Sequence, residues 1–139
     1  MKQFLIFLVI FVLLAAGFMV FSHYYLGWNP KMVVIAVDSS YNMNNSWSQV
    51  ADTVKTYESM KYTSFSMITD KMTIHSWEKH LQTEKLGNIK PYGPTDISVL
   101  TDQNKYPELK KASMIIVITN SGDISMFEKD SRYKVVRLN

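Results

Sequence analysis

Two apolar runs restrict the architectures open to this chain more than any other feature. Val33-Val34-Ile35-Ala36-Val37 and Met114-Ile115-Ile116-Val117-Ile118 contain no polar residue. Short runs of this kind, rich in β-branched side chains, form strands buried on both faces, as in a parallel sheet covered by helices on either side. Each run stops at a cluster of oxygen-bearing side chains. The first leads into Asp38-Ser39-Ser40-Tyr41-Asn42-Met43 and the second into Thr119-Asn120-Ser121-Gly122-Asp123. Open α/β sheets build ligand sites outside the carboxyl ends of their strands, so two such ends bring oxygen donors around one point.

The rest of the pattern supplies the layers. Ser46-Trp47-Ser48-Gln49 has the form of a capping box, and Trp47, Val50, Ala51, Val54 and Tyr57 then recur at helical spacing as one core-facing stripe. The segments from Thr63 to Thr69 and from Met72 to Trp77, joined at Asp70-Lys71, read as a hairpin. One of its strands is expected to pair with the first strand and the other to form an antiparallel edge. A short helix and loop are expected between Glu78 and Lys90, carrying Leu81, Leu86 and Ile89. Gly93-Pro94 marks a turn, after which Thr95 or Asp96 caps a helix bearing Ile97 and Leu100. Pro107 suits the first turn of a further helix from Glu108 to Ala112. After the second apolar run, a helical turn from Ile124 to Lys129 precedes a last strand, Tyr133 to Leu138. The order predicts an α/β, three-layer sandwich: a mostly parallel, doubly wound sheet with an antiparallel edge strand.

Ahead of this domain, Phe4 to Phe21 carries no charge and is long enough to cross a bilayer as a helix. His23, Tyr24, Tyr25 and Trp28 follow it, rings suited to the headgroup level. The expected division is residues 1–28 as a transmembrane anchor with its aromatic interface, 29–31 as a linker ending the helix at Asn29-Pro30, and 32–139 as the domain. Membrane contact falls on residues 4–26. Lys2 and the α-amino group lie on one side, while the next cation, Lys31, comes only after the aromatic group, which favours a cytoplasmic N-terminus and a periplasmic or extracellular domain. The competing reading is a cleaved signal peptide, whose apolar core is shorter and ends in a small-x-small site; Leu14-Ala15-Ala16-Gly17 lies inside the run instead.

Composition removes several function classes. Without cysteine there is no thiol catalysis, disulfide or thiolate metal site. The net charge of +3 is small and its cations are interspersed with acids, so no nucleic-acid surface is indicated. His75 and His80 lack the paired spacing of a zinc site, and read as a strand residue and a surface residue. No phosphate loop or nucleophile elbow is present, and no histidine is placed by the sequence to activate Ser39 or Ser40.

The chemistry therefore gathers in three loops. Asp38, Ser40 and Asn42 alternate along the first, Thr95 and Asp96 lie in the second, and Asn120 and Asp123 in the third. Hard divalent cations take such oxygen ligands, and Mg²⁺ commonly uses only one or two carboxylates. At these positions the chain resembles the von Willebrand factor type A domain family. Asp38-Ser39-Ser40-Tyr41-Asn42 is similar to that family's Asp-x-Ser-x-Ser loop, Gly93-Pro94-Thr95-Asp96 to its Gly-Gly-Thr-Asp segment, and Ile118-Thr119-Asn120-Ser121-Gly122 to its strand ending in Thr-Asp-Gly. The resemblance spans Lys31 to Asn139. It implies a metal-ion-dependent adhesion site for Mg²⁺ or another divalent cation, held by Asp38, Ser40, Asn42, Thr95 and Asn120, with Asp96 and Asp123 behind these ligands or in place of one of them. The open position of the cation would take a carboxylate from a protein partner. Asn42 stands in place of the family's serine and Asn120 in place of its aspartate, which leaves Asp38 as the one carboxylate and weakens the expected affinity. The family's sixth strand has no counterpart here, so a sheet edge is expected to lie open or under a partner.

A membrane-anchored protein-interaction or adhesion module is the expected function, with no catalytic residue. Two alternatives stand beside it. One is a metal-independent scaffold subunit of a membrane complex, in which these residues only cap helices and close turns. The other is a metal-dependent hydrolase using Asp38, Asp96 and Asp123 as carboxylates at adjacent strand ends.

Overall fold

The structure is a computed structural model that describes residues 2–138. It divides into two compact units, one through Pro30 and one from Lys31 onward. The first is a single helix, α1 (Lys2–Trp28), none of whose side chains is buried. It is long and apolar enough to cross a membrane. Asn29 closes it by donating both its backbone N–H and its side-chain Nδ2 to the Tyr25 carbonyl, each at 3.0 Å. Pro30 then prevents a further turn.

The second unit is an α/β domain with a mixed five-stranded sheet in the order β3-β2-β1-β4-β5. Its strands are β1 (Lys31–Val37), β2 (Thr63–Thr69), β3 (Thr73–Glu78), β4 (Met114–Thr119) and β5 (Tyr133–Arg137). β1 runs parallel to β2 and β4, β5 runs parallel to β4, and only β3 is antiparallel. The two apolar runs are thus neighbours at the centre, in register from Val33 opposite Met114 to Val37 opposite Ile118.

Because side chains alternate along a strand, β1 feeds two cores. Val33, Ile35 and Val37 pack with Val50 and Val54 of α2 (Trp47–Lys55) and Leu86 of α3 (Glu84–Gly87). Val34 and Ala36 pack on the other face with Ile97 and Leu100 of a 3₁₀ turn (Ile97–Thr101), Tyr106, Phe127, and Leu109 of α4 (Glu108–Lys111). Truncating such a side chain in a sheet covered on both faces costs about 2–5 kcal/mol, more than any strand propensity contributes.

Several details differ from the sequence reading: Ile97 and Leu100 lie on a short 3₁₀ turn, and Asp96 at its N-cap makes no side-chain capping bond. Ser46 occupies the N-cap of α2, but its side chain makes no capping bond. Residues 125–129 form hydrogen-bonded turns, with the Phe127 N–H on the Ile124 carbonyl at 2.9 Å, and do not extend into a full helix; the Asp123 carboxylate accepts the backbone N–H and hydroxyl of Ser125 at 3.1 and 2.8 Å. The β2–β3 hairpin is also irregular, with register shifts around Met67. Its connection is closed by the Thr69 N–H on the Met72 carbonyl at 2.7 Å and by Thr69 Oγ1, which accepts from the N–H groups of Lys71 and Met72. That closure turns Asp70 inward.

Candidate functional site

Asp38 is the first residue past β1 and is wholly buried. Its N–H still donates to the Ile118 carbonyl at 2.9 Å, so it leaves the sheet at the carboxyl end of the central pair. Oδ1 accepts the Ser40 N–H at 3.0 Å and Oδ2 accepts the Thr119 hydroxyl at 2.7 Å. Thr119 Oγ1 in turn accepts the Ser121 N–H at 3.0 Å. The carboxylate therefore ties the loop after β1 to the loop after β4.

The second loop lies along the first. Tyr92 N–H donates to the Ser39 carbonyl at 2.9 Å and Tyr41 N–H to the Gly93 carbonyl at 3.0 Å. Gly93 has φ +76, a conformation that side chains rarely adopt, which brings Thr95 across to Ser40. The Thr95 hydroxyl donates to Ser40 Oγ at 3.0 Å, and Asn42 Nδ2 donates to Thr95 Oγ1 at 2.8 Å. Asn120 Nδ2 donates to the Asn42 carbonyl, while Asn120 Oδ1 is buried with no hydrogen-bond partner. Asp38, Ser40, Asn42, Thr95 and Asn120 thus share one network drawn from three loops.

Asp96 and Asp123 stay outside it. Asp96 accepts from the Ser98 hydroxyl and is exposed. Asp123 is exposed too, and the Ser125 hydroxyl, followed by the Ser125 N–H, holds its carboxyl below the usual range. Among the described residues, no three His, Cys, Asp or Glu side chains gather closely enough to hold a metal ion. Asp38 is buried at the end of β1, whereas Asp96 and Asp123 are exposed on the neighbouring loops.

No protein-family model matches the chain, and no curated protein does. The site has to be judged on its own chemistry.

A buried carboxylate that the sequence reading treated only as a turn residue adjoins this network. The side chain of Asp70, just past β2, is fully buried. Oδ1 accepts the Ser39 N–H at 2.8 Å and the Ser39 hydroxyl at 2.6 Å, and Oδ2 pairs with Lys71 Nζ. Lys71 Nζ also reaches the Pro94 carbonyl at 3.4 Å and stands 5.6 Å from the centre of the Tyr92 ring. Lys105 Nζ donates to the Asp70 carbonyl at 2.9 Å, and the Tyr106 hydroxyl to the Thr69 carbonyl at 2.6 Å. Burial, reinforced by the negative charges of Asp70, Glu108 and Asp102, pushes the Tyr106 hydroxyl up to about 12. Phe65-Ser66-Met67-Ile68 also ends in a hydroxyl and an acid, Thr69-Asp70, but that pattern alone does not show the acid meeting Ser39.

The oxygen atoms of this network are of the kind a hard cation takes, and they already serve one another. Ser40 Oγ and Thr95 Oγ1 are 3.0 Å apart, the length of the hydrogen bond that joins them, and an ion taking both oxygens would replace that bond. Asn120 Oδ1 is an acceptor lacking a donor, and rotating the Asn42 amide presents its oxygen in place of its nitrogen. The single carboxylate already has one donor on each oxygen, which limits the charge available to the ion.

Proposed function

We propose that this chain is a membrane-anchored protein-binding module built like a von Willebrand factor type A domain. α1 is its anchor, with the N-terminus in the cytoplasm and the α/β domain outside. The Asp38 loop face engages the partner through a weak divalent-cation site. Ser40, Asn42, Thr95 and Asn120 would hold the ion and Asp38 would supply the charge; a bound cation offers a Lewis-acid position for a partner carboxylate. The observation that carries this reading is the convergence of these five residues, from three separate loops, with the Asn120 oxygen left unpaired.

Calorimetric titration of Mg²⁺ and Mn²⁺ into the full chain in detergent micelles tests it. Wild type is expected to give a saturable heat and a rise in melting temperature, both lost in Asp38→Ala and in the milder Thr95→Ala. Absence of heat and of any thermal shift in folded wild type refutes the cation site. That outcome favours the second reading, a scaffold subunit docking without metal. It has its own support, since Ser40, Asn42 and Thr95 already satisfy one another by hydrogen bonds.

A further inference from the structure

On the β2 side of the Asp38 loop a cleft of about 250 Å³ opens. Lys71 and Met72 of the β2–β3 turn, Asn88 and Lys90 beyond α3, Tyr92 and the buried Ser39 line it. It is smaller than the roughly 300–1,000 Å³ of pockets that enclose a drug-sized ligand, so it suits one side chain.

The lining gives the cleft a sign. Two of the lining residues, Lys71 and Lys90, are cationic, the first of them paired with Asp70, and no lining residue is acidic. The carboxylate behind it, Asp70, is already matched by Lys71 and by both donors of Ser39, and Lys105 adds another positive charge at the Asp70 carbonyl. Lys71 is held by Asp70, the Pro94 carbonyl and the Tyr92 ring, yet 22% of its side chain remains exposed. An ammonium fixed in place loses little freedom when it takes a ligand. Met72 and Tyr92, 51% and 54% exposed, offer apolar surface to the stem of an incoming side chain.

We propose that this cleft is a carboxylate subsite that receives an acidic side chain of the protein partner. It rests on the reading that the partner docks on the Asp38 face. The two places adjoin: Tyr92 lines the cleft and donates its N–H to the Ser39 carbonyl, Gly93 next in the chain accepts from the Tyr41 N–H, and Thr95 two residues on joins the Ser40 network. Recognition would then read two acidic groups, one at the cation and one between Lys71 and Lys90.

The test is methyl NMR of the full chain in micelles, observing Met72 during titration with N-acetyl-glutamate methylamide. The neutral glutamine analogue is the control. The Met72 methyl is expected to shift saturably with the glutamate probe alone, about five-fold more weakly in Lys90→Gln, in line with a partly screened ion pair. The shift should diminish with added salt and persist in chelator. The proposal is overturned if Met72 does not respond, if both probes act alike, if Lys90→Gln changes nothing, or if inorganic phosphate binds more tightly than the glutamate probe. Mg²⁺ is titrated in the same sample and read at the Asn120 side-chain amide. Glutamate binding without a Mg²⁺ response removes only the cation reading, and a Mg²⁺ response without glutamate binding removes only the subsite.

Discussion

Lys71→Met tests whether the buried charge pair at the end of β2 organises the binding face. The substitution keeps the length and volume of the side chain but leaves the Asp70 carboxylate, fully buried, with only the two Ser39 donors. Removing one partner of a buried pair costs about 3–5 kcal/mol, and the partial exposure of Lys71 places the expected loss nearer 2–3 kcal/mol. Asp70→Asn keeps an acceptor for Ser39 and strands only the more accessible ammonium, so it should cost about 1–2 kcal/mol. In the double variant no charge remains unpaired. Its cost should fall below the sum of the single changes by at least about 1 kcal/mol, the coupling of a contacting pair. Urea unfolding of the full chain in micelles, followed by near-ultraviolet circular dichroism, measures all four corners of the cycle. Lys71→Met should also weaken Mg²⁺ binding, because the Pro94 carbonyl loses its contact and Thr95 is the next residue. Strict additivity, or a Lys71→Met variant as stable as wild type, would show that the pair is incidental.

Two further outcomes follow from the same network. Asn120→Asp restores a carboxylate but removes the donor to the Asn42 carbonyl, so the metal-free protein should melt lower while Mg²⁺ binds about ten-fold more tightly; lower melting with unchanged Mg²⁺ affinity contradicts the cation site. Tyr106 ionises near 12 in the folded protein against 10.0 when unperturbed, so the native state keeps a proton that the unfolded chain releases. Its contribution is intact below pH 10 and is lost as the pH rises towards 12, an effect of about 2–3 kcal/mol for two pH units. Tyr106→Phe should flatten that alkaline slope in urea unfolding, and equal slopes in the two proteins contradict the assignment.

The centre of the sheet was legible because β1 and β4 are buried on both faces, and unbroken apolar runs have few other uses. The Asp38, Thr95 and Asn120 loops were legible as ligand candidates because each follows a recognisable strand end or turn. Asp70 was not, since its meaning depends on Ser39, a residue 31 positions earlier that becomes its neighbour only when β2 lies beside β1. The position of Asp70 joins the two segments of a hairpin and gives no direction, whereas the side-chain closure at Thr69 points the acid inward. The bulged register of β3 was hidden for a similar reason: alternation of apolar and polar residues records which face a residue takes, not where a partner strand slips.

The junction between the units has a mechanical consequence. Only Asn29 and Pro30 separate the end of α1 from Lys31, the first residue of β1. Tension carried along the chain from the helix therefore enters the sheet at its central strand. β1 is clamped along both flanks, from Lys31 opposite Thr63 to Val37 opposite Thr69, and from Val33 opposite Met114 to Val37 opposite Ile118. Pulling it lengthwise loads both ladders in shear, so their hydrogen bonds must yield together instead of unzipping one by one. A load borne at Asp38, the residue that follows β1, passes along the strand itself to Lys31.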